Sequence, residues 1–190
     1  SKNIEPFGFP KENDWVLVGP YNDKSLMRDA LAYSIASESM VYAPRASFVE
    51  LVVDDDYRGV YLFTEKIKRD KNRVNISKLN PTDTSGDQLT GGYILKLDKL
   101  TGSGFDGWAS GFAPSPGAAQ RSFFQYHYPK PDQIAAEQKA YIQSFIEEME
   151  AAFSGDDFKD SVDGYERFID VDSWLGYLFV NEAAKNLDAY

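Results

Sequence analysis

The chain contains no cysteine. That excludes disulfides, thiolate metal sites and cysteine nucleophiles. It has a single histidine, His127. Multi-histidine metal sites are therefore excluded, and any Ser-His-Asp triad would hang on that one residue. No run of about 18 uninterrupted apolar residues exists, so no transmembrane segment is expected. No signal peptide or lipidation motif is visible, although the chain opens on Ser1 rather than Met. Basic charge is scarce: 20 Lys+Arg stand against 30 Asp+Glu, a net charge of −10. Binding nucleic acid needs a basic field, so no nucleic-acid partner is expected. The G-x-S-x-G, H-E-x-x-H and phosphate-loop signatures are missing as well. What is present is 190 residues, 43% hydrophobic and 15% aromatic. That is one domain or a large piece of one, and too rich in core formers to be disordered. The chemistry left open is that of carboxylates, Lys, Arg, Tyr and hydroxyls.

Residues 1–21 read as an irregular opening with Pro6, Pro10, Pro20 and a buried-looking Trp15–Val18. Asn22-Asp23 gives an N-cap signal, and Leu26, Met27, Ala30, Leu31 and Ile35 recur at helical spacing, predicting a helix over 24–38. Residues 47–54 and 57–67 read as a β-hairpin across Asp54-Asp55-Asp56. Three carboxylates in a row suggest a cation site, but the spaced acids, Gly and distal Glu of a Ca²⁺ loop are absent, and an exposed turn is the plainer reading. Gly91-Gly92 opens a strand over 93–99, with Lys96 and Asp98 on one face. Residues 101–120 have the Gly, Ser and Pro content of a lid-like loop. A strand is expected over 121–128, a long amphipathic helix over 132–153, a short helix over 165–169, and a buried apolar helix from Trp174 to Lys185 capped by Asp172 or Ser173. Helix, antiparallel sheet and then helices make an α+β chain, with a sheet region over 1–128 and a helical region over 129–190.

Polar candidates are few. Glu65, Lys96 and Asp98 fall on predicted strands. A strand Lys held by a carboxylate grips nucleotide phosphates in kinases; it is also an ordinary surface ion pair. Lys66, Lys68, Arg69, Lys71 and Arg73 form a basic run in an acidic chain. It reads either as a solvated loop or as a contact for phosphate or an acidic substrate. His127, in an aromatic strand, reads as a packed residue. Asp188 follows the last helix and is either a base or metal ligand, or a solvated chain end.

The order of several segments resembles the CotH family. They are residues 7–17 (FGFPKENDWVL), 23–28 (DKSLMR), 42–45 (YAPR), 57–62 (YRGVYL), 64–67 (TEKI), 73–76 (RVNI) and 91–99 (GGYILKLDK), then 165–190 with IDVDSW, Asn181-Glu182 and Asn186-Leu187-Asp188. The resemblance implies an atypical protein kinase with a remote, two-lobed kinase-like α+β fold. Residues 1–128 would be its sheet-bearing N-lobe and 129–190 the opening of its C-lobe. It implies ATP and Mg²⁺ or Mn²⁺ as cofactors, Ser/Thr of a protein as acceptor, and a secreted or surface-attached protein. Carried over residue by residue, Lys96 would contact nucleotide phosphates and Glu65 would pair with that Lys. Asp188 would be general base or metal ligand, and Asn186 would orient its turn. Independently of the resemblance, the charge of the basic run makes Lys68, Arg69 and Arg73 candidates for a substrate or phosphate contact. Arg28 and Tyr61 also match recurrent positions, where a structural role fits equally well.

One part of the pattern is missing. The family's second metal-binding acid lies in a Trp-Asp-x-Asp segment after the Asn-x-Asp motif, and no Trp-Asp pair occurs in these 190 residues. That acid is accordingly expected beyond Tyr190, the last residue of the sequence. The 190 residues are then expected to be part of a longer kinase and to bind metal–nucleotide weakly or not at all alone. Two other readings stay open: a surface binding or adhesion module on a degenerate kinase scaffold, which Trp108 in its Gly-rich loop would suit, and a structural coat protein.

Overall fold

The computed structural model describes residues 2–100 and 104–186. The described residues pack as two compact units, one of 2–67 with 170–186 and one of 68–169. The architecture is α+β with antiparallel sheets. Strand β6 and helix α2, on either side of residue 128, belong to the same unit.

The first unit is built on a three-stranded sheet in the order β1-β3-β2: β1 Trp15–Val18, β2 Ala46–Val53 and β3 Asp56–Glu65. The predicted hairpin is β2–β3. Asp54 and Asp55 both take left-handed φ, 52° and 63°. Two such residues give the turn whose twist matches antiparallel strands, and Asp tolerates that region better than most side chains do. Asp54 and Asp55 thus make the turn, and Asp56 opens β3. Among the described residues, no group of three or more His, Cys, Asp or Glu is placed to hold a metal ion. Strand β1 docks on β3 with Trp15 opposite Glu65. The Trp15 and Phe63 rings stack with centroids 5.0 Å apart, and Phe7 meets Phe63 edge-on at 5.3 Å. Val16 and Leu17 are exposed, so the segment is a sheet edge and not the buried run expected.

Helix α1 spans Arg28–Ser39 and starts later than the periodicity predicts. Asp23 is the reason. Its carboxylate accepts the Ser25 N–H, the Ser25 hydroxyl and the Arg28 N–H. Residues 24–27 are thereby held in a turn, with Leu26 at φ 59°. Helix α3, Val171–Ala184, is capped by Asp170, whose carboxylate accepts the Ser173 N–H at 2.8 Å. The cap therefore lies two residues before the earlier of the two expected. α3 is also less buried than its composition suggests: Trp174, Leu175, Leu178 and Phe179 are each about half exposed. Its buried stripe is Gly176 and Val180–Asn181. A Cβ on Gly176 would lie 2.2 Å from the Ser39 carbonyl oxygen, so only glycine lets α3 pass so close to the end of α1.

The second unit has a sheet in the order β4-β6-β5: β4 Ile94–Leu97, β5 Gly107–Ala109 and β6 Phe123–Tyr128. β5 lies inside the segment expected to be a lid-like loop, so part of that loop is sheet. Gly107 makes this possible, because a Cβ there would fall 1.9 Å from the Phe124 carbonyl oxygen. Helix α2, Ala136–Ser154, follows. Tyr126, Ile134 and Ile142 form the core, packed by Tyr93, Leu95, Trp108, Tyr141 and Phe145. Gln138 is fully buried and donates to the carbonyls of Asn80 and Asp83 at 2.7 and 3.1 Å, stapling that loop to the helix. Burial also pushes the Tyr93 hydroxyl up to about 12, and it donates to the Leu89 carbonyl at 2.8 Å.

Candidate functional site

In the first unit, Glu65 closes β3 opposite Trp15. Its carboxylate is 1% exposed and ion-pairs with the Arg45 guanidinium at 2.8 Å. It also accepts the Arg45 backbone N–H at 3.0 Å, while the Glu65 N–H donates to the Arg45 carbonyl at 3.2 Å. A carboxylate so enclosed relies on its cation and its donors to offset the loss of water. The guanidinium is half-exposed, so Arg45 links a buried anion to the surface. Sequence reasoning assigned Arg45 no role, although it stands in the Tyr-Ala-Pro-Arg segment. No local pattern reveals a partner supplied from a neighbouring strand.

In the second unit, Lys96 sits in β4 opposite Gln125, which is also the register partner of Gly107. The Lys96 ammonium is 3.8 Å from the Asp98 carboxylate, and both side chains are well exposed. The expected shared face is therefore present. The strict alternation of the strand is not, because the register shifts between Ile94 and Leu95. Gln125 is 2% exposed and its amide donates to the Asp98 carbonyl at 2.7 Å, fixing the end of β4. Its amide oxygen is buried without a hydrogen-bond partner. Glu65 and Lys96 each take an ionic partner from their own unit.

The basic run is unevenly exposed. Lys66 and Lys71 are exposed, but Lys68 and Arg69 are half-buried and Arg73 is buried at 5% exposure. Arg69 lies over the Tyr128 ring, 5.5 Å from its centroid. The loop is tight: the Arg73 N–H donates to the Asp70 carbonyl and the Asp70 N–H to that of Val74.

Beyond α3, Lys185 takes left-handed φ of 53°, and Asn186 is tied back to Asn181. Asp188, the residue assigned to base or metal, lies outside the described residues. Arg28, Asp29, Asn181, Lys185 and Asn186 line a groove of about 490 Å³ between α1 and α3. His127 is half-buried in β6.

For a nucleotide phosphate, the described residues offer the partly exposed Lys96 ammonium, which also ion-pairs with Asp98 at 3.8 Å. The buried Gln125 amide oxygen is an acceptor and offers nothing to an anion. For a divalent cation the described residues offer no set of three acidic ligands.

The family model described as CotH kinase protein matches residues 1–190. The chain belongs to the CotH kinase family. No curated protein and no solved structure matches it. Membership makes this a kinase-like domain, and the α+β architecture agrees. Among the described residues of this CotH chain, no helix is long and apolar enough to cross a membrane.

Proposed function

We propose that this CotH chain contributes to ATP- and divalent-metal-dependent phosphoryl transfer onto Ser or Thr of a protein, in a secreted or surface-attached kinase of two lobes. The observation that carries the reading is the family match from residue 1 to residue 190. Lys96 supports it, as a strand lysine whose competing carboxylate is 3.8 Å away and exposed. Such a weakly held cation is free to neutralise phosphate charge, and phosphoryl transfer is largely positioning plus charge stabilisation.

In this reading the acceptor hydroxyl oxygen attacks the γ-phosphorus and the bond to the bridging oxygen of ADP breaks. Asp188 takes the hydroxyl proton. Arg45 and Glu65 hold the end of β3, and Lys96 meets the phosphates. Mg²⁺ or Mn²⁺, when bound, neutralises phosphate charge. Asp188 is the residue here assigned to hold it, with a further acid required from beyond Tyr190. Lys68 and Arg69 are offered to an acidic acceptor. Arg73, buried as it is, would act through the shape of their loop.

The test incubates the natural full chain with labelled ATP, Mg²⁺ or Mn²⁺ and a Ser-rich protein acceptor. Transfer that disappears in Asp188→Ala supports the reading. Absence of transfer, with no ATP–Mg²⁺ shift in melting temperature, overturns it in favour of a binding module.

A further inference from the structure

The turn after β5 holds more hydrogen-bond acceptors than donors. Ser110 is 5% exposed, and its N–H donates to the Ser122 carbonyl at 2.8 Å, carrying the β5–β6 pairing one residue on. Its hydroxyl oxygen accepts the Phe112 N–H at 2.9 Å. That same oxygen lies 2.6 Å from Glu150 Oε1, on α2, and 3.1 Å from the Phe112 carbonyl oxygen. A hydroxyl has one proton to give. Given to the carboxylate, at the shorter distance, it leaves the Phe112 carbonyl without a donor among the described residues. Glu150 Oε2 is buried and has no hydrogen-bond partner.

No group around the turn supplies the missing positive charge. Glu150 forms no ion pair among the described residues, and its partner is the neutral Ser110 hydroxyl. Arg121 reaches this turn but gives its guanidinium N–H to the Gly111 carbonyl at 2.9 Å. Trp108, two residues before Ser110, has a buried indole N–H that reaches no acceptor. A carboxylate out of water needs a cation or a full set of donors to offset its lost hydration.

The acceptors left over are the second lone pair of Ser110 Oγ, the Phe112 carbonyl and Glu150 Oε2. Hydroxyl, carbonyl and carboxylate oxygens are the ligands of hard cations. Spacings of 2.6 and 3.1 Å about Ser110 Oγ bring these groups close enough to be neighbours in one coordination shell, whose bonds run to about 2.3–2.6 Å. The set carries a single negative charge, and the described residues hold no group of three acids for a divalent ion. A monovalent ion neutralises the set, whereas a divalent ion would leave a buried charge of its own.

We infer that Ser110, Phe112 and Glu150 form a binding site for a hard monovalent cation, Na⁺ or K⁺, which fastens the turn after β5 to α2. The site lies inside the second unit and does not depend on the phosphoryl-transfer reading.

The test follows melting of the natural full chain in NaCl, KCl and tetramethylammonium chloride at equal ionic strength, the last cation being too large for the site. At a tenfold excess over the dissociation constant, Na⁺ or K⁺ should raise the melting temperature by about 3–6 °C over tetramethylammonium. Glu150→Gln keeps the shape and removes the charge. It should lose that increment, and in tetramethylammonium it should melt no lower than the wild type. Ser110→Ala should shrink the increment. Glu147→Gln, which neutralises an exposed acid three residues earlier in α2, should keep it in full. Hydrogen exchange at the Ser110 and Phe112 N–H groups should slow in Na⁺ or K⁺.

Equal melting of the wild type in the three salts overturns the site. An increment that survives in Glu150→Gln, or that disappears in Glu147→Gln, assigns the effect to general surface charge and overturns it too. Stabilisation by millimolar Ca²⁺ with none by Na⁺ or K⁺ overturns the monovalent assignment. If Glu150→Gln fails to fold, exchange at Phe112 in the wild type decides, and an unaltered rate there overturns the inference.

Discussion

Arg45 and Glu65 are bound to each other three times: guanidinium to carboxylate, backbone N–H to carboxylate, and the Glu65 N–H to the Arg45 carbonyl. The two halves of the pair differ in exposure, 45% for the Arg45 side chain against 1% for that of Glu65.

That difference predicts an asymmetry. Removing Arg45 takes the cation from an enclosed carboxylate, and Arg45→Ala should cost about 3 kcal/mol. Removing Glu65 leaves a guanidinium that water reaches, so Glu65→Gln should cost about 1 kcal/mol. Urea denaturation of both variants decides it. Equal losses, or a greater loss in Glu65→Gln, would show that the buried charge does not dominate.

Gly176 gives a prediction of opposite sign to the usual rule. Gly→Ala inside an exposed helix stabilises it by about 1 kcal/mol. Here the new Cβ would lie 2.2 Å from the Ser39 carbonyl oxygen, which forces α1 and α3 apart. Gly176→Ala should therefore destabilise the chain by about 1–3 kcal/mol. Gly111→Ala, with nothing within 4 Å of its Cβ, is the neutral control. Melting curves of the two should diverge.

Asp23 ties stability to pH. The Arg28 N–H first, and then the Ser25 hydroxyl, hold its carboxyl below the ordinary value of 3.8. A group whose folded pKa is depressed stabilises the fold above its unfolded pKa, and that contribution is lost as pH falls through the folded value. Asp23→Ala should therefore be less stable than the wild type at neutral pH. The gap should begin to close near pH 4 and vanish in stronger acid. A gap that is constant with pH would mean that Asp23 acts by shape and not by charge.

Lys96 separates binding from folding. Its exposed pair with Asp98 is worth no more than about 1 kcal/mol, so Lys96→Ala should barely move the melting temperature. If Lys96 meets phosphate, the same variant should weaken ATP binding about tenfold in the full chain, and Asp98→Asn should strengthen it slightly. Calorimetric titration with ATP–Mg²⁺ checks both. Unchanged affinity in Lys96→Ala would move the phosphate contact elsewhere.

Much of the local structure was legible because it is written in nearest neighbours. The β2–β3 hairpin follows from alternation around a polar turn, and α2 follows from apolar residues at helical spacing. The start of α1 was misread because apolar periodicity runs back to Leu26, while the Asp23 carboxylate reaches forward to the Arg28 N–H and holds the residues between them in a turn. β5 was read as loop because its strand content is three residues among glycines, and its pairing with β6 is a tertiary event. Of the candidate residues, Lys96 and Asp98 were correctly placed on one face by strand period. Arg45 was not singled out, since its hydrogen bonds to Glu65 leave no composition or spacing signal.

By itself the sequence determined the chemistry this protein has to work with. Lacking cysteine and nearly lacking histidine, it is left with lysine, arginine, carboxylates and amides, and its ordered segments place it in the CotH kinase family. Only the tertiary structure decided which of those groups are engaged. It buried Glu65 against Arg45, left Lys96 loosely held and half in water, and folded Arg73 inward from a run read either as a solvated loop or as a phosphate contact. The reason is physical. Residue type fixes what a group can donate, accept or ionise to, whereas burial and partner distance fix what remains available, and both of those depend on chain segments far apart in sequence.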